Sequence, residues 1–153
     1  MSTRISASEA AALVRAVVPD RELDGGGVDE RFARARWSAI AEPGDADAGR
    51  LVASVGAVRS LELLHAAQPG ALEQVADGSF ADAVDRWRPR IRQVDSALHL
   101  RQAARFGARL VVPGDREWPA GLDDLGFHAP LALWVRGSLI AGKPLPPHCP
   151  AAE

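Results

Sequence analysis

Two short β-type runs near the C-terminal end of the sequence constrain the fold more than any other feature. Arg109 to Val112 is an extended, apolar run closed by Pro113-Gly114-Asp115, in which Pro fixes φ while Gly and Asp tolerate tight geometry. Leu131, Leu133 and Val135 alternate with Ala132, Trp134 and Arg136, the period-two pattern of a strand, and Gly137 stops it. Between the runs, Trp118-Pro119 reads as a buried anchor and a short helical turn follows. Two strands of this length cannot bury themselves, so the sequence predicts the edge of a larger sheet. Only 16 residues follow Gly137, against the roughly 30 of a βαβ unit. The expected neighbours of these strands are missing from the sequence.

The rest of the chain carries helical periodicity. Ser6 and Glu9 form a capping-box pattern ahead of Ala10, Leu13, Val14 and Val17. Pro19 closes that helix, and Gly25-Gly26-Gly27 reads as a flexible joint, so residues 1–27 are expected to be a peripheral helix and linker. Phe32, Ala33, Trp37 and Ile40 make one apolar stripe, with Arg31 and Arg34 off it. Glu42-Pro43-Gly44-Asp45 breaks this helix, and Asp45 is placed to cap the next, whose buried face is Ala48, Leu51, Val52 and Val55. Gly56 precedes a segment with Val58, Leu61 and Leu64, and a further short helix is expected over Pro69–Asp77. Phe80, Val84, Trp87, Ile91, Val94 and Leu98 then form a regular stripe, which Pro89 should kink or split near Arg88 before Gly107 ends it. Residues 28–106 thus read as a small helical domain, 107–137 as the first strands of a second unit, and 138–153, rich in Pro, as a disordered tail. The expected class is mainly α, of the sterile-alpha-motif or helix-hairpin-helix kind, followed by two short strands.

Composition narrows the function classes. Hydrophobic residues make up 47% of the 153, but aromatics only 5%, so the core is built mainly of Ala, Leu and Val. Cys149 is the one cysteine, which excludes an internal disulfide and a Cys-rich metal site. No apolar run reaches the roughly 20 residues of a membrane span and no signal segment is present, so a cytoplasmic location is expected. The net charge of -2 conceals a segregation. Residues 1–85 hold eight Arg against 14 acids, whereas residues 86–109 hold seven Arg against Asp95 alone. Such an asymmetry marks either a nucleic-acid face or two elements that attract each other within one fold.

The motifs Asp115-Arg-Glu-Trp-Pro-Ala-Gly-Leu122 and Pro130-Leu-Ala-Leu-Trp-Val-Arg-Gly137 resemble those of the DNA-processing protein A family (DprA, also called Smf), which acts in natural transformation. Members carry Asp-x-x-[Tyr/Trp]-Pro-x-x-Leu and Pro-x-x-Leu-x-x-x-Gly just before a Rossmann-like core. Upstream, Arg36-Trp-Ser-Ala-Ile-Ala-Glu-Pro-Gly-Asp-Ala-Asp-Ala-Gly-Arg-Leu-Val52 is similar to the start of the helical domain of actinobacterial members. The resemblance spans roughly residues 30–137. It implies that Asp115, Trp118, Pro119, Leu122, Pro130, Leu133 and Gly137 are structural motif positions. It also implies binding of single-stranded DNA and loading of the recombinase RecA, work attributed in the family mainly to the Rossmann-like core. Ser138-Leu-Ile-Ala-Gly-Lys stands where the family's phosphate-binding turn would follow, so the expectation is a truncated member with an incomplete Rossmann-like unit and weak DNA binding. Many members have a Pro-Gly-Ile-Gly hairpin where this chain has Glu42-Pro43-Gly44-Asp45; an acid there disfavours phosphate.

Arg86, Arg88, Arg90 and Arg92, extended by Arg101 and Arg105, are the candidate phosphate contacts. On a straight helix alternate residues turn by about 200°, so the first four do not share one narrow face. Partners such as Asp82 and Asp85 would make them a solvated surface instead. His65, His99, His128 and His148 are scattered with no metal-ligand spacing, and Asp123-Asp124 reads as capping rather than cation binding. No nucleophile elbow, Walker loop or dinucleotide fingerprint occurs, so no enzyme, cofactor, metal or small-molecule substrate is expected. The alternative to DNA processing is a stand-alone helical module that docks on a protein.

Overall fold

The computed structural model describes residues 5–19, 21–66, 72 and 80–137. Six helices come first: α1 (Ala7–Val17), α2 (Gly25–Ile40), α3 (Ala46–Val55), α4 (Ala57–Ala66), α5 (Ala81–Gln93) and α6 (Ser96–Arg105). Strand β1 (Ala108–Val111), a 3-10 segment (Ala120–His128) and strand β2 (Leu133–Arg136) complete the order. The protein is mainly helical, with its two short antiparallel strands near the C-terminal end, in register Ala108↔Arg136 to Val111↔Leu133.

Short polar side chains start four of the helices. Ser6 accepts from the Glu9 N–H, Asp24 from Gly27, Asp45 from Asp47 and Ala48, and Asp95 from Leu98. Each satisfies a first-turn donor that has no partner within the helix. The Asp24 cap explains a departure from the sequence reading. Gly25-Gly26-Gly27 is the first turn of α2, not a linker, because the cap and the packing of the following turns outweigh the poor helix propensity of glycine.

α2 is the central element and divides the interior into two cores. On one side Ala33, Trp37 and Ile40 pack with α3, α4 and α5, where Leu51, Phe80 and Trp87 are fully buried. The Trp37 and Trp87 rings meet edge to face at 84°, with centroids 5.1 Å apart. Their indole N–H groups donate to Ser60 Oγ and Asp45 Oδ2, both at 2.8 Å, so neither buried indole is left unpaired. On the other side Val28 and Ala35 pack with Val14, Val17, Leu100, Leu110, Val112 and Ala132. α1 is therefore not peripheral: Val14 and Val17 are wholly inaccessible, against α6, α2 and β1.

The strands also find cover within the chain. Leu110, Val112, Ala132 and Trp134 share a face by parity, and the first three belong to the second core. On the opposite face Val111 is buried, and Arg109 pairs with Glu117 of the connection, whose next residue, Trp118, is also buried. One face of the pair is thus packed on the helices, while no residue of β2 itself is fully buried, and among the described residues the outer edges of both strands lack a strand partner.

The long stripe from Phe80 to Leu98 is split, but not where expected. α5 runs through Pro89, and the break falls at Val94-Asp95, where Asp95 caps α6. The break rotates the following helix, so Leu98 leaves the stripe and is 46% exposed. Of the segment expected to be helical over Pro69–Asp77, only Leu72 is described, and it is buried in the first core. The Pro-rich residues from Ser138 lie outside the described residues.

Candidate nucleic-acid interface

The basic run lies on α5 and α6, and most of it faces carboxylates. Arg86 donates to Asp47 at 2.9 Å and lies 3.6 Å from Asp45. Arg88 pairs with Asp85 at 3.2 Å, and Arg90 donates to Glu42 Oε1 at 2.6 Å. Arg101 of α6 pairs with Glu9 of α1. Arg92 and Arg105 are exposed and meet no acid among the described residues. The hydrogen bond from Arg86 holds the Asp47 carboxyl below the usual carboxylate range, against the opposing pull of desolvation. The same bond raises the Arg86 guanidinium. The acidic first part of the chain and the basic α5 therefore meet each other, which leaves the field available to a phosphate backbone small.

The turn from Glu42 to Asp45 is likewise occupied. Asp45 accepts from two backbone N–H groups and from the Trp87 indole, and His128 Nδ1 donates to the Gly44 carbonyl at 2.9 Å.

The motif positions form a second constellation, between α2 and the strands. Asp115 Oδ1 accepts from Arg31 at 2.5 Å and from Arg21 at 2.9 Å, while Oδ2 accepts from Arg31 at 2.8 Å and from the Val112 N–H at 2.9 Å. Arg31 is only 4% exposed, so the sequence reading that placed it off the buried stripe is corrected. Burial pushes the Asp115 carboxyl up, but the Arg31 bonds, the Val112 N–H and the charges of Arg31 and Arg21 outweigh it. The carboxyl is held below its ordinary value.

Arg31 begins a row along α2. Arg34 donates to the Leu131 carbonyl at 2.9 Å, and Ser38 Oγ accepts from the Trp134 indole at 3.2 Å. Positions 31, 34 and 38 lie on one helical face, and each ties to the strand unit. Arg36 points elsewhere, toward α4. His65 Nδ1 lies 2.6 Å from the Leu61 carbonyl and must donate to it, which leaves Nε2 to accept from Arg36 at 2.8 Å. Desolvation lowers the Arg36 guanidinium from its ordinary value.

The other motif residues are framework. Trp118 is buried and its indole donates to Asp123 at 3.0 Å; Pro119 opens the 3-10 segment, its carbonyl accepting from the Leu122 N–H at 3.0 Å. Asp123 thus serves the Trp118 indole. Leu133 begins β2 opposite Val111, and Pro130 is half-buried in the lead-in to it. Gly137 has φ +79, a left-handed conformation that glycine adopts without strain, and its carbonyl accepts from Arg109 at 2.7 Å. The sequence reading missed Arg21, Arg31, Arg34 and Ser38; the signal available was polar residues at 3- and 4-residue spacing on a helix whose other faces are apolar.

Among the described residues no group of His, Cys, Asp and Glu is arranged to hold a metal, and no helix is long and apolar enough to cross a membrane. Comparison with known proteins gave no match among family models, curated proteins or solved structures.

Proposed function

We propose that this chain is a cytoplasmic DNA-processing protein of the DprA/Smf kind, a family that handles single-stranded DNA and loads RecA, in which the helical layer braces the strand unit and itself contributes only weakly to DNA binding. The supporting observation is the Asp115 clamp. The Asp of the Asp-x-x-Trp-Pro-x-x-Leu stretch carries the ion pairs that join helical layer and strands, and Trp118 and Pro119 set the connection between the strands. A motif of that kind has a reason to keep those residue types. With Arg86, Arg88, Arg90 and Arg101 engaged by acids, the chain by itself binds single-stranded DNA weakly, through Arg92 and Arg105. Anisotropy of a labelled oligothymidine tests this. The expected result is binding that falls steeply between about 50 and about 200 mM salt and is lost in the Arg92→Ala/Arg105→Ala double variant. Salt-robust, tight binding, or none at the lowest salt, overturns it.

A second reading, a helical module that docks on a protein, is favoured by the exposure of Leu98, Phe106, Leu125 and Phe127. Apolar docking would be nearly insensitive to salt, so the same titration against a captured partner separates the two.

A further inference from the structure

Between the C-terminal end of α2, the turn from Glu42 to Asp45 and the lead-in to β2 runs a groove of about 150 Å³. Its walls are more apolar than polar: the half-exposed Trp134, with Pro43, Pro130 and Leu131, lines it beside Ser38 and the acidic turn. Small-molecule and cofactor pockets usually enclose about 300–1,000 Å³, so this one accommodates a single side chain rather than a metabolite. Its lining includes two ionisable groups, and both are acids, Glu42 and Asp45. Asp45 is already committed to the α3 cap and the Trp87 indole. Glu42 is 72% exposed and uses Oε1 for Arg90, while no donor among the described residues reaches its Oε2.

We propose that this groove is a docking site for an arginine side chain presented by a partner protein. An apolar slot with a carboxylate at its mouth matches a side chain with an aliphatic stem and a cationic head. The flat guanidinium also stacks on an indole face such as that of Trp134, which favours arginine over lysine. The Arg90–Glu42 pair demonstrates that this carboxylate accepts a guanidinium in the fold. The groove shares Pro130 and Trp134 with the family motif, but the DNA test reads Arg92 and Arg105 and the clamp rests on Asp115, none of which lines the groove, so the two readings fail separately.

The four tryptophans donate to four different acceptors, Ser60, Asp45, Asp123 and Ser38, so their indole N–H signals in a ¹H–¹⁵N correlation spectrum are independent reporters. Trp134→Phe assigns the relevant signal. Titration with acetyl-arginine amide should move the Trp134 signal with a dissociation constant on the order of millimolar, leaving that of Trp118, whose acceptor Asp123 lies outside the groove, in place. Acetyl-citrulline amide, the same shape without the charge, should bind roughly threefold to fivefold more weakly, the scale of an exposed ion pair. Glu42→Gln should weaken arginine by the same factor, and the remote Glu22→Gln should not. An unmoved Trp134 signal, an equal response to citrulline, or an unchanged Glu42→Gln variant overturns the proposal. So does a Trp134 shift driven by protein concentration alone, which would make the occupant a second copy of this chain.

Discussion

Asp115 shows what one carboxylate does when it is the shared acceptor of three donors. It neutralises Arg31, which α2 buries, and it holds the turn after β1 through the Val112 N–H. Asp115→Ala leaves the Arg31 guanidinium buried without a counter-charge, and removing one partner of a buried pair costs about 3–5 kcal/mol. Asp115 keeps some solvent access, which places the expectation at the lower end, about 3 kcal/mol in chemical denaturation. Asp115→Asn keeps a hydrogen-bond acceptor and should lose less. The pH dependence follows from the lowered carboxyl. A group whose folded value lies below its unfolded value, about 3.9 for Asp, stabilises fully above that value. The contribution is lost as pH falls further through the folded value. Denaturation midpoints measured from about pH 5 down to about pH 2 should therefore fall more steeply for the parent chain than for Asp115→Asn.

At the scale of elements, the packing of α3 on the 3-10 segment depends on an absent side chain. A Cβ placed on Gly49 would lie 2.0 Å from the Phe127 carbonyl oxygen, a backbone atom that cannot rotate aside. Ala is the better helix former by about 1 kcal/mol, so in isolation Gly49→Ala would stabilise α3. Here the clash decides the sign, and a loss of about 1–3 kcal/mol is expected. Gly121→Ala, where a Cβ meets nothing within 4 Å, should stay near neutral and serves as the control in the same thermal melts. The α5–α6 junction gives a second test. Asp95 accepts from the Leu98 N–H, and Asp95→Ala should cost about 1 kcal/mol by denaturant titration, the worth of an N-cap. The periodicity from Phe80 to Leu98 was legible in the sequence, and so was a break within it. Its position was not, because Pro89 is the loud signal and Asp95 the quiet one. A proline within a helix can be carried by surrounding packing, whereas a capping Asp followed by new helical geometry ends one element and starts another.

For the molecule as a whole, α2 is a wall common to both cores, with Trp37 on one side and Ala35 on the other, and a polar row at Arg31, Arg34 and Ser38 tying it to the strands. Melting one core strips α2 from the other. Unfolding should therefore be a single cooperative transition: near-ultraviolet circular dichroism, which follows the tryptophans, and far-ultraviolet, which follows the helices, should give one midpoint. Two separated midpoints would mean the strand unit unfolds independently. By itself the sequence determined the helical stripes, the caps at Ser6 and Asp45, both strands and the apolar stripe of α2, because caps and periodicity act over a few residues. Only the tertiary structure decided that α1 is interior, that Arg31 is buried, that one face of the strand pair packs on the helices, and that the basic run answers the acidic turn at Glu42–Asp47. Each of these depends on partners distant in sequence, such as Arg31 and Asp115 or Arg86 and Asp47, and local spacing carries no record of which distant charge or surface will meet them.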